Sequence, residues 1–199
     1  MLTTRLDPRS HPNFTLFTGD YQTILVNSEY LATHSQIFAD MIEFEVSSSG
    51  SPNDPGCHVS ETKIEFDTVF TALVDQQSIS SVSQFLLLAR LHHRYHFYVF
   101  EKLLSIERFK GLLEKEGYPI KELAKAFRIF YNSMNEDFWR LCFEKLIQMP
   151  QKNLLAEDVD PDLILSLEVY RSWRNSVLAQ GVASQTMDCG TLPNHKCIH

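Results

Sequence analysis

Asn13-Phe-Thr-Leu-Phe-Thr18 alternates apolar with polar side chains, Gly19-Asp20 interrupts it, and Tyr21 to Val26 resumes a β-prone run. A period of two on both sides of a turn predicts a β-hairpin. Ser28 then caps a short helix carrying Tyr30 and Leu31, and Ser35 caps a second whose Ile37, Phe38, Met41 and Ile42 share one face. Val46 to Cys57, rich in Ser, Gly, Pro and Asn/Asp, offers turns and no core, so a mobile loop is expected there. His58 to Ser60 suffices for one short strand. Thr62-x-x-Glu65 forms a capping box for a helix with Phe66, Val69, Phe70 and Leu73 turned inward. Ser80 or Ser81 opens the next helix, where Phe85-Leu-Leu-Leu-Ala89 is apolar nearly all round and predicts the most buried element.

From Tyr98 the pattern is helical throughout. An amphipathic, charged stretch runs to Lys115, Gly117 stops it, and Pro119 suits the first turn of a helix bearing Ile120, Leu123, Ala124, Phe127 and Phe130. Ser133-x-x-Glu136 reads as another capping box, ahead of Phe138, Trp139, Cys142, Phe143 and Leu146, and Pro150 ends that helix. Trp139 and Trp173, beside other periodic apolar positions, read as core residues. Asp160-Pro161 opens a last helix carrying Leu163, Leu167, Tyr170 and Val177, closed by Gly181. No internal repeat is visible. The expected class is α+β, a small sheet flanked by helices followed by an all-α extension. Its parts are an arm over 1–12, a sheet-bearing domain over 13–100, a helical extension over 101–180 and a disordered tail over 181–199.

Composition narrows the functional classes. The 199 residues, 44% of them hydrophobic, are enough to bury a core without a disulfide or metal staple. The net charge is −7, and no segment holds the positive excess that nucleic-acid binding needs. Every apolar run is far shorter than the ~20 residues of a membrane span, and the N-terminus has no apolar signal region. Cys57 and Cys142 stand alone and Cys189 and Cys197 lie in the polar tail, which is no disulfide framework. An intracellular location, cytoplasm or nucleus, follows as the expectation.

The run Tyr21-Gln-Thr-Ile-Leu-Val-Asn-Ser-Glu-Tyr-Leu-Ala-Thr-His-Ser-Gln-Ile-Phe-Ala-Asp-Met41 resembles the signature of the BTB (POZ) domain, with Leu31, Ser35, Phe38 and Met41 at the matching positions. Val59-Ser60-Glu61 with Phe66 to Leu73, and Leu86 to Tyr95, are similar to that family's third strand and later helices. The resemblance covers about residues 13 to 100. The helices from 119 to 179 are similar to the post-BTB extension of many fungal BTB proteins. The chain departs from the family pattern at turns: Asn27 in place of a His, Asn13 in place of an Asp, and Val74-Asp-Gln-Gln77 in place of an aromatic followed by Gly. Membership implies a protein-interaction module that pairs with itself or a relative. In some members it implies service as an adaptor for a cullin-type ubiquitin ligase or as part of a transcription factor. Phe14, Leu16 and Phe17 place apolar groups on both faces of the first strand, so something must cover the second face. They are the candidate dimer face, with the chain's own helical extension as the alternative cover.

Candidate chemistry is sparse. His-His-Arg-Tyr-His spans 92–96, and His92 and His96 share a helical face as two zinc ligands would, which gives the alternative of a metal-dependent enzyme or zinc-binding protein. No Glu follows His92 to serve as a general base. In the tail, Cys189, His195, Cys197 and His199 are of the right type and number for zinc, but their spacing is hard to wrap round a tetrahedral ion. There is no nucleophile elbow and no glycine-rich phosphate loop. The carboxylates Glu157, Asp158, Asp160 and Asp162 sit at a helix start, where capping and the helix dipole account for them. Neither a catalytic residue nor a cofactor is expected.

Overall fold

The computed structural model describes residues 7–48, 55–133 and 135–179. The expectations for the Ser/Pro-rich segment over 49–54 and for the tail over 181–199 lie outside the described residues. Among those described, a three-stranded sheet is accompanied by ten α-helices, a mixed α+β architecture that is mostly helical. The strands are β1 (Phe14–Phe17), β2 (Thr23–Val26) and β3 (Gly56–His58), in the order β2-β1-β3. β1 pairs antiparallel with β2, Phe14 opposite Val26, and parallel with β3, Leu16 opposite Cys57.

The turn between β1 and β2 is fixed by close approach. The Gly19 amide donates to the Glu61 carbonyl at 2.8 Å, and a Cβ at position 19 would lie 2.2 Å from the Ser60 carbonyl oxygen. Only glycine lets the two backbones meet there. α1 (Ser28–His34) begins one residue earlier than the Ser28 cap anticipates, because Asn27 accepts from the Tyr30 amide through its side chain. The Asn27 side-chain amide also donates to the Ser10 carbonyl, and Asn13 Oδ1 accepts from the Ser28 amide. Asn27 and Asn13, two of the three departures named above, are thus hydrogen-bonded turn residues. α2 (Gln36–Ser48) runs past Val46 into the stretch expected as loop. β3 lies two residues upstream of the expected strand, because its register is set by Thr15, Leu16 and Phe17 rather than by its own sequence.

α3 (Lys63–Val74) has both arms of its Thr62/Glu65 capping box, and Phe66, Val69, Phe70 and Leu73 are buried. α4 (Val82–Tyr95), capped by Ser81, buries half its residues and packs against α2, α3, α5 (Phe100–Leu103), α6 (Ile106–Lys115) and α7 (Ile120–Asn132). The amphipathic stretch after Tyr98 is therefore two helices, divided where Ser105 caps the second. Gly117, at φ +71°, ends α6. The second capping box does not form. Ser133 closes α7, its hydroxyl donating to Phe130 O, and α8 (Glu136–Ile147) starts at Asn135 without a side-chain cap. Pro150 opens a short helix that the pattern did not anticipate, α9 (Gln151–Ala156).

α10 (Pro161–Ala179) starts where Asp160 accepts from the Asp162 amide, and packs on α8 through the edge-on pair Phe143–Tyr170 at 5.2 Å. Arg171 donates to the carbonyls of Leu146, Ile147 and Met149 at the C-terminal end of α8. Phe85 stacks on Phe109 at 5.0 Å and lies 6.0 Å from Phe138, so one continuous core joins the sheet-bearing half to the helical half. Of the two tryptophans, Trp139 is buried and Trp173 half-buried.

Candidate functional site

Three of the four signature residues meet at one knot. Ser35 closes α1, its amide donating to Leu31 O at 2.9 Å, and opens α2, its Oγ accepting from the Phe38 amide at 3.2 Å. The same hydroxyl donates across the core to the Tyr95 carbonyl at the end of α4. Beside it Tyr98 donates its amide to His34 O at 3.0 Å. Leu31, Ser35 and Phe38 are wholly buried, and the Phe38 ring stacks on Tyr95 at 4.8 Å with Phe66 and Phe97 close by. Met41 is only half-buried against this cluster. A wholly buried hydroxyl with both donor and acceptor roles filled is a structural clamp, not a nucleophile.

Glu61 forms a second polar centre that pattern reading did not single out. At 3% exposure, its carboxylate accepts from Arg94 Nη1 at 3.0 Å and from the Tyr95 hydroxyl. Burial, and then the bond to Glu61, pushes the Tyr95 phenol well above its ordinary range. A buried carboxylate needs such partners, and here they tie the start of α3 to the end of α4. Burial likewise raises the thiols of Cys57 and Cys142 to about 12, with the Glu45 charge adding to the shift at Cys57. Neither supplies a thiolate at neutral pH.

The candidate dimer face is used within the chain. Phe14 and Leu16 are 2% and 0% exposed in the single chain, on the central strand of the three-stranded sheet. Thr15 on the opposite side is buried too, and Phe17 stacks on His58 of the neighbouring strand at 4.9 Å. The cover for both faces of β1 is intramolecular, which corrects the expectation that Phe14 and Leu16 face a partner.

His92 and His96 do not share a helical face. α4 ends at Tyr95, and His96 stands at φ 52° in the left-handed conformation that closes the helix. His92 is half-buried with Nδ1 3.0 Å from Phe97 O, and burial lowers its pKa, whereas His93 and His96 are exposed. Among the described residues no group of three or more His, Cys, Asp or Glu is arranged to hold a metal ion. The tail set Cys189, His195, Cys197 and His199 lies outside the described residues.

A groove of ≈ 950 Å³ lies between α7 and α10, which both pack on α8. Ala124, Phe127, Phe143 and Leu163 line it. Leu165 and Val169, one helical turn apart on α10, also line it and stand 58% and 53% exposed. Its charges are segregated: Lys121, Lys125 and Arg128 come from α7, whereas Glu157, Asp158, Asp160 and Asp162 come from the α9–α10 connection and the start of α10. Arg128 and Asp160 form an ion pair between these two sides. A signal for this groove exists in the sequence. Leu163, Ile164, Leu165, Leu167 and Val169 supply more apolar positions than one buried stripe of a helix absorbs.

No family model matches the chain, and a comparison with curated proteins gives no match. No helix among the described residues is long and apolar enough to cross a membrane.

Proposed function

We propose that this chain is a non-catalytic protein-interaction module of the BTB type. The observation that carries the reading is the Ser35 clamp. The signature residues Leu31, Ser35 and Phe38 converge on the end of α4 within a succession of hairpin, two helices, short strand and two further helices, the order that the resemblance implies. The polar groups best placed for chemistry support it further, since Ser35, Glu61 and Tyr95 are buried and occupied with one another or with backbone. Its partners are proteins, a second copy of the chain first among them, and a cullin-type ubiquitin ligase is the partner class that an adaptor role implies. Nucleic acid and membrane have no part in this reading, and its setting is intracellular, cytoplasm or nucleus.

The test is affinity purification of the full chain from its own cells, followed by protein and elemental analysis. Stoichiometric protein partners are expected. Turnover of a small molecule that depends on one particular side chain, or about one zinc per chain lost on replacing His92, would overturn the reading.

A further inference from the structure

We propose that the groove between α7 and α10 seats a second copy of this chain, the two related by a twofold axis. The inference rests on the interaction-module reading and names its partner and its surface. A patch with a cationic edge on one side and an acidic edge on the other is complementary to itself. A twofold axis through its centre lays the Lys121 edge of one copy on the acidic edge of the other. Lys121, Glu157, Asp158 and Asp162 make no ion pair among the described residues, which leaves unpaired charge on both edges for that exchange. Leu165 and Val169 form the ridge, and the apolar lining from Ala124, Phe127 and Phe143 receives its counterpart.

Two considerations favour a second copy over another occupant. A ligand of a single charge sign is repelled at one edge or the other, whereas the chain itself presents both signs in the required order. The net charge of −7 opposes self-association in general, yet the groove sets three cations against four anions and so contributes little of that repulsion. The face of β1 expected to dimerise is already closed by the chain's own core.

Sedimentation velocity on the full chain, from micromolar to about a hundred micromolar, tests this. The expected result is a concentration-dependent shift toward twice the 23.0 kDa of one chain. Leu165→Asp should raise the dimer dissociation constant at least ~30-fold, as expected for a central interface residue, with the circular dichroism spectrum and urea midpoint retained because Leu165 is exposed. Lys121→Glu, on the opposite edge and exposed, should weaken the dimer as well, and high salt should reduce the difference between it and the wild type. A chain that stays monomeric over the whole range overturns the proposal, whether its own tail or another protein fills the groove. A dimer indifferent to both substitutions overturns it too, by placing the interface elsewhere. Turnover dependent on a particular side chain would instead overturn the underlying module reading, whatever the mass.

Discussion

Replacing Ser35 by Ala removes a single oxygen from the place where α1, α2 and α4 are joined. Two hydrogen bonds go with it, one accepted from the Phe38 amide and one donated to the Tyr95 carbonyl, and Ser35 is 0% exposed, so no water replaces them. Losing the cap of α2 costs about 1 kcal/mol. Leaving a buried carbonyl without its donor costs about 1–3 kcal/mol more. The expected loss is therefore about 2–4 kcal/mol, a large part of the roughly 5–15 kcal/mol that holds a domain together. At about 2–4 °C per kcal/mol for a chain of this size, the melting temperature should fall by about 4–16 °C. Ser105→Ala supplies the internal standard, because Ser105 caps α6 through the Arg108 amide at 3.2 Å without a second bond across the core. Urea unfolding followed by circular dichroism measures both variants, with the slope of the transition expected to match the wild type. A Ser35→Ala loss no greater than that of Ser105→Ala would show that the bond to Tyr95 contributes nothing, and the clamp argument would fall.

Gly19→Ala should destabilise by more than the Cβ's conformational preference explains, because its methyl would sit 2.2 Å from the Ser60 carbonyl oxygen; a urea midpoint equal to wild type would refute that contact. In a Cys189→Ser/Cys197→Ser chain, Cys57 and Cys142 should resist a thiol reagent at pH 8 in the native state and react fully in denaturant, since burial holds both thiols protonated up to about 12; stoichiometric native labelling would contradict it. His92 has a pKa lowered by burial, so the folded state binds its proton less readily than the unfolded state. Its contribution to stability is complete above the unfolded value of about 6.5 and is lost as pH falls through 6.5 toward the lowered native value. Urea midpoints between pH 7.5 and 5.5 should therefore drop more steeply for wild type than for His92→Gln, and parallel profiles would disprove the assignment.

What the sequence determined by itself is what short-range contacts decide. The Thr62/Glu65 box and the inward stripe of α3 involve partners three or four residues apart, and their pattern is complete within one helix. The same holds for the hairpin, whose turn and alternation lie within fourteen residues of Asn13, and for the density of apolar positions that makes α4 the hub of the helices. Local signals fail where another group competes for the same residue. Ser133-x-x-Glu136 has the spacing of a cap, but the end of α7 takes Ser133 through the Phe130 carbonyl, and α8 begins without it. His92 and His96 have ligand spacing only if the helix continues, and it ends in a left-handed residue as Phe97 turns back toward Ser35. The parallel seat of β3 beside β1 was likewise beyond local reading, because a strand's register depends on a partner some forty residues away. Packing of the rest of the chain over the sheet decides that Phe14 and Leu16 belong to the core. The groove stands between the two cases: the surplus of apolar residues on α10 is written in the sequence, but only the packing of both α7 and α10 on α8 leaves Leu165 and Val169 facing outward between edges of opposite charge.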